Sequence, residues 1–233
     1  MTTTAPRPTT ASAGEEVPRP AGWAWAGAAG GLAGAAGLLV TGNLYDPATG
    51  AVADNDALAD AVSGNAPLVW AQQVVTALVA GCLLVFAAGL HRHLARQEPA
   101  GSLVPGVAAA GVALTAVALF VGGGLSTEMY WALTGDQPFD PDTVGAHVTV
   151  HNTIAWLWGG LGLSAAAVAF GGFRRASVGR GLASVSAAAA LMLLATQALP
   201  VQYAAVVPGG TWLVVTGVAL ARSPGRVSAA GRR

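Results

Sequence analysis

The sequence predicts an all-α polytopic integral membrane helix bundle with six transmembrane helices and cytoplasmic N- and C-termini. Three observations predict it. Of 233 residues, 54% are hydrophobic and 9% charged, whereas roughly a quarter of a soluble domain is charged. Apolar runs of about twenty residues, each long enough to cross a hydrocarbon core of roughly 30 Å, recur between polar connections. Finally, the basic residues, all of them Arg, fall in alternate connections and in the tails.

Residues 1–20 are rich in Thr, Pro and Ala and hold few large apolar groups to offset the entropy of ordering, so they read as a disordered cytoplasmic tail. The apolar run that follows has no convincing small-x-small cleavage site and is taken as a helix, not a signal peptide. That first span, 21–41, carries Gly27, Gly30, Gly31 and Gly34 at small-xxx-small spacing, which lets a neighbouring helix approach closely. A polar connection over 42–66 holds Asp46, Asp54, Asp56 and Asp60 and no Arg. The second span, 67–90, has Asn65 as N-cap and Pro67 in the first turn.

His91, Arg92, His93 and Arg96 follow in a short connection. Two imidazoles two residues apart point to different helix faces, so this cluster reads as a contact with anionic lipid headgroups, not as a metal site. The third span, 104–124, is expected to continue as helix through Trp131. Asp140-Pro141 announces the fourth helix as N-cap and first helical residue. Run as one helix to Phe173 it exceeds the bilayer thickness, so its first turns stand in the headgroup region and the span itself is 150–173. The fifth span is 181–199. The sixth, 204–221, contains Pro208-Gly209-Gly210, which predicts a kink or break. Residues 223–233 form a basic cytoplasmic tail. The transmembrane domain is thus 21–222.

Orientation follows from the Arg residues. Arg7 and Arg19, then Arg92 and Arg96, then Arg174, Arg175 and Arg180, then Arg222, Arg226, Arg232 and Arg233 fall on one side of a six-span chain. The opposite side has none, and the positive-inside bias puts the Arg side in the cytoplasm of a plasma membrane, of bacterial type by its Ala/Gly/Arg-rich composition.

Composition also excludes chemistry. The absence of Lys removes Walker-type phosphate loops and Schiff-base cofactors such as retinal and pyridoxal phosphate. One cysteine, Cys82, excludes an internal disulfide, a c-type haem site and cysteine-rich zinc sites. The Arg residues flank membrane segments, so nucleic acid is not implied as a partner. The expected partners are the bilayer and other membrane subunits or a second copy.

The densest set of reactive side chains lies between Gly124 and Trp158. In the six-span topology Gln72, Gln73, Glu128, Tyr130, His147, His151, Asn152, Gln197, Gln202 and Tyr203 collect at one depth near the outer face, and the inner half shows no comparable set. His147 and His151 are four residues apart and share one helix face, so a divalent metal is the cofactor this pattern admits, with Glu128 as third ligand or as general acid. The glutamate that follows the first His in the metalloprotease pattern is replaced by Val148. The His91/His93 pair and the His147/His151 pair stand on opposite sides and cannot share one b-type haem. Tyr130, Trp131, Trp156 and Trp158 fit the aromatic belt of a membrane interface.

Three functions are expected, in this order. The first is a non-enzymatic accessory or assembly component, because few intramembrane residues are ionisable and a small-residue bundle suits helix contacts. A membrane enzyme or metal-binding protein using Glu128, His147 and His151 on a lipid-phase or periplasm-side substrate is second. A small-solute transporter is third, since a conducting path needs polar groups through the full depth.

Overall fold

The structure, a computed structural model, describes residues 21–41, 54–135, 140–199 and 201–223. The tails at 1–20 and 224–233 and the connections at 42–53 and 136–139 lie outside the described residues, as do the side chains of His151, Asn152, Gln202 and Tyr203. Every described element is a helix. In order they are α1 (Gly22–Thr41), α2 (Asn55–Ser63), α3 (Ala66–Ala95), α4 (Val104–Thr134), α5 (Pro141–Thr153), α6 (Gly160–Arg175), α7 (Arg180–Ala198) and α8 (Val206–Arg222), with 3-10 segments at Ile154–Gly159 and Gln202–Ala205. Four of them are long and apolar enough to cross a membrane: Ala66–Ala95, Val104–Thr134, Trp156–Arg175 and Arg180–Ala198, while Val206–Arg222 is apolar but shorter. The described fold is thus all-helical, with four helices that could span a membrane.

Local signals set the helix ends. Asn65 stands at the N-cap of α3 with Pro67 in the first turn, and Arg92 and His93 occupy its last turn, where cations oppose the helix dipole. α4 also opens with a proline, Pro105, in its first turn. α6 closes when Ala176 adopts a left-handed conformation (φ 54°), which turns the amides of Ala176 and Ser177 back onto the carbonyls of Gly172 and Gly171.

Helix contacts follow the small residues. α3 packs along α4, α1 lies between α3 and α8, and α6 lies between α4 and α7. A methyl group at Gly31 would stand 2.7 Å from Cβ of Leu213 and 2.8 Å from the Gly210 carbonyl oxygen, so α1 and α8 meet almost backbone to backbone. At Gly217 it would meet Ala24 O and Ala28 N, both at 2.6 Å. Gly111 of α4 faces the Gly160 carbonyl at the start of α6 in the same way. Large side chains fill the rest: Trp23 stacks on Phe86 at 5.9 Å, Phe86 meets Trp212 edge-on at 6.5 Å, and the buried Trp212 indole donates to Ser186 Oγ at 3.0 Å. Ser164 Oγ donates to the Ala108 carbonyl at 2.7 Å and ties α6 to α4.

The structure adds one element and corrects two expectations. The connection over 42–66, read as polar, contains α2. Asp54 caps α2, its Oδ1 accepting from the amides of Asp56 at 3.0 Å and Ala57 at 3.3 Å. Leu58 and Val62, one helical turn apart, join Val69, Met129, Val144 and Val148 in a second apolar cluster that ties α2 and α5 to the ends of α3 and α4. The fourth helix is not one uniform α-helix, since residues Ile154–Gly159 wind as 3-10 between α5 and α6. Pro208 does not break the last helix: α8 begins only at Val206, so the proline falls in the first turn, where no intrahelical N–H is lost.

Candidate functional site

The end of the bundle formed by α2, α5, the start of α3 and the end of α4 gathers the described polar residues singled out by the sequence. Glu128 is exposed on α4. His147 faces it from α5, half-buried, with its ring hydrogen-bonded to the Leu125 carbonyl and its Nε2 buried without a partner. Burial pushes the His147 imidazole below its ordinary value of 6.5, outweighing the opposite effects of the Leu125 carbonyl and of the Glu128 charge. The ring is therefore held mainly neutral, with one nitrogen donating and the other free to accept a proton or ligate.

Among the described residues no three His, Cys, Asp or Glu side chains come together. His147 and Glu128 are the described part of the expected metal set, and the side chain of His151 is outside it. Tyr130 packs against the second apolar cluster, its ring meeting Trp131 edge-on at 6.0 Å. Gln197 at the end of α7 donates from Nε2 to the Trp156 carbonyl at 3.1 Å, satisfying one backbone group of the 3-10 segment. A methyl group at Gly159 would collide with the same carboxamide, so that glycine is what lets Gln197 reach the backbone.

Gln72 is buried on α3 at 5% exposure, while Gln73 is half-buried. Thr76 Oγ1 donates back to the helix carbonyls of Gln72 and Gln73, both at 2.9 Å. Gln72 and Thr76 line a cavity of about 360 Å³ between α1, α3, α4 and the 3-10 segment, whose other walls include Gly34, Ala36, Ala71, Val79, Leu119 and Trp158. Two features thus stand among the described residues: the His147/Glu128 pair at the α4–α5 junction and the apolar cavity lined by Gln72 under α3.

The opposite, Arg-bearing end holds a polar cluster that the sequence reading missed. Glu98, in the α3–α4 connection, has a side chain with 0% exposure. Its Oε2 accepts from Arg175 at 2.7 Å and from Ser102 Oγ at 2.8 Å, and Arg175 also donates to Ser102 Oγ at 3.1 Å. This clasp pins the α3–α4 connection to the end of α6. Gly171 makes room for it, since a methyl group there would stand 2.5 Å from Ser177 Oγ and 2.8 Å from Glu98 Oε1. The available signal was a lone carboxylate in an Arg-bearing connection, followed four residues later by Ser102. His91 and His93 diverge as expected: His91 is exposed and His93 lies half-buried, 6.0 Å from the Trp23 ring.

Comparison with protein families, with curated proteins and with solved structures returns no match. The class is set by the fold alone.

Proposed function

We propose that the chain is a six-span plasma-membrane protein of bacterial type, both termini cytoplasmic, acting as a non-enzymatic accessory or assembly component through contacts with other membrane subunits or a second copy. One observation carries this reading: five hydroxyls buried among the helices are engaged in helix structure. Ser164 bonds across to α4, Ser186 holds Trp212, and the hydroxyls of Thr115, Ser126 and Thr196 bond to carbonyls of their own helices. The described ionisable residues stand at the two ends, where they anchor connections. A core of this kind supports rigid helix faces better than it supports turnover or conduction. Blue-native electrophoresis of gently solubilised membranes, with the chain expressed at its native level, tests it. The expected result is an assembly of fixed mass well above a 23.0 kDa chain; a lone monomer at every detergent concentration contradicts it.

A second reading, a metal-binding or enzymatic site for a divalent metal, is favoured by the unpartnered Nε2 of His147 beside Glu128. Metal analysis of purified wild type beside the His147→Ala/His151→Ala variant decides it. Stoichiometric metal lost in the variant supports this reading, and metal-free wild type refutes it.

A further inference from the structure

We propose that the groove at the α3–α4 turn is a docking site for an anionic phospholipid, with the phosphate at His91 and the glycerol and first methylenes against Gly106, Val107 and Ala110. It needs α3 and α4 to cross the bilayer, and it depends neither on which end is cytoplasmic nor on a partner subunit.

The place of the groove fixes what meets it. The apolar run of α3 ends at Leu90, so His91 and Ala95, one turn apart on the same face, stand in the headgroup layer. Gly101 and Ser102 border the mouth from the turn. On the α4 side Gly106, Val107 and Ala110 carry the wall inward, Ala110 lying about 9 Å deeper than Val104. The mouth is thus polar and the inner wall hydrocarbon, and the change falls where a phospholipid passes from phosphate to acyl chain. The volume of about 440 Å³ equals roughly fifteen waters' share of liquid volume, which suits a phosphodiester with the glycerol beside it.

Charge selects among lipids. Arg92, Arg96, Arg174, Arg175, Arg180 and Arg222 stand at this end against one described carboxylate, Glu98. Glu98 is buried and bonded to Arg175 and Ser102, so among the described residues no exposed negative charge opposes an anion there. Ser102 Oγ donates its proton to Glu98. His91 is then the lining side chain with a hydrogen to give, since an imidazole carries an N–H in either protonation state. Arg92 and Arg96, both exposed and each next in the chain to a lining residue, add positive charge beside it. Basic pockets of this kind between helix ends hold the headgroups of anionic lipids.

Native mass spectrometry tests it on the full chain, released from nanodiscs of equal parts phosphatidylglycerol and phosphatidylcholine, by counting the lipids that stay bound. The expected result is a phosphatidylglycerol retained about five-fold or more over phosphatidylcholine. A side chain at Gly106 meets nothing within 4 Å, so Gly106→Leu fills the groove without a clash and also removes a helix glycine. That variant folds at least as well as the wild type and brings the ratio to about one, while His91→Ala lowers it to about two-fold. Added glycerol phosphate, which has no chain to lie on Val107, leaves the bound lipid in place. Equal retention of the two lipids by the wild type overturns the proposal, and so does a preference that survives Gly106→Leu, because it would belong to the Arg residues at large. Displacement by glycerol phosphate makes the groove a site for free phosphate and overturns the lipid. The same spectra report the mass of any assembly, so a failure of the proposed function is read separately from a failure of this site.

Discussion

The two ends of the bundle both place small residues at helix contacts and are packed in opposite ways. At the Arg-bearing end, Trp23 covers Gly89 and stacks on Phe86, and Arg175 and Ser102 clasp the buried Glu98 and lock a connection to α6. At the other end, α1 and α3 leave a cavity, a 3-10 segment replaces α-helix, and the His147 ring keeps an unpartnered nitrogen. Small residues alone do not make a tight interface. They do so where a bulky ring or a second backbone meets them, and where neither arrives they leave a cavity.

The contrast can be broken most forcibly at the clasp. Glu98→Ala leaves Arg175 and Ser102 without their acceptor, and Arg175→Ala leaves a buried carboxylate unpaired. Each is expected to cost about 2–3 kcal/mol, reduced from the fully buried case because Arg175 is 39% exposed. Thermal unfolding in detergent measures it, and the double variant should lose less than the sum of the two. Gly111→Val drives a branched side chain into the Gly160 carbonyl and the Ser164 hydroxyl and is expected to cost about 2 kcal/mol by the same assay. Leu58→Ala removes a buried contact from the second cluster and should cost about 1–2 kcal/mol. Its effect is expected to be local: hydrogen exchange rises in α2 and α5 and not in α6 or α7.

The smallest effect is electrostatic. The His147 imidazole has a folded pKa below 6.5, so the unfolded chain binds its proton first as pH falls. The stabilisation from keeping it neutral is complete above pH 6.5 and is lost as pH drops through the lower, folded value. Melting at pH 7.5 and at pH 5 should differ less in His147→Gln than in the wild type. An equal difference in both would move the pH response elsewhere.

Much of this architecture was legible in the chain. Apolar runs marked the starts of α1, α3, α4, α7 and α8 to within two residues, while α3 and α4 run five and ten residues past the expected span ends, and Asn65-Pro67 and Asp140-Pro141 marked helix starts because their physics is local. α2 was hidden because nine residues with two large apolar side chains, Leu58 and Val62, are too short an amphipathic stretch to stand out from the acidic connection around them. The 3-10 segment could not be read either, since a contact it makes, from Gln197 to the Trp156 carbonyl, comes from forty-one residues away. Glu98 was overlooked because its burial comes from Arg175 and Gly171, seventy-odd residues on. Pro208 misled because its effect depends on where the helix begins, and the boundary at Val206 is set by the preceding 3-10 turn.

The central claim is six crossings with the Arg-bearing end inside, and substituted-cysteine labelling tests it most directly. In a Cys82→Ala background, single cysteines replace Asp56, Asp142, Arg96 and Ser223 in turn, and intact cells are exposed to a thiol reagent that cannot cross membranes. The account predicts rapid labelling at 56 and 142, and labelling at 96 and 223 only after the membrane is opened. Labelling at 96 or 223 in intact cells, or protection at 56 and 142, would contradict it.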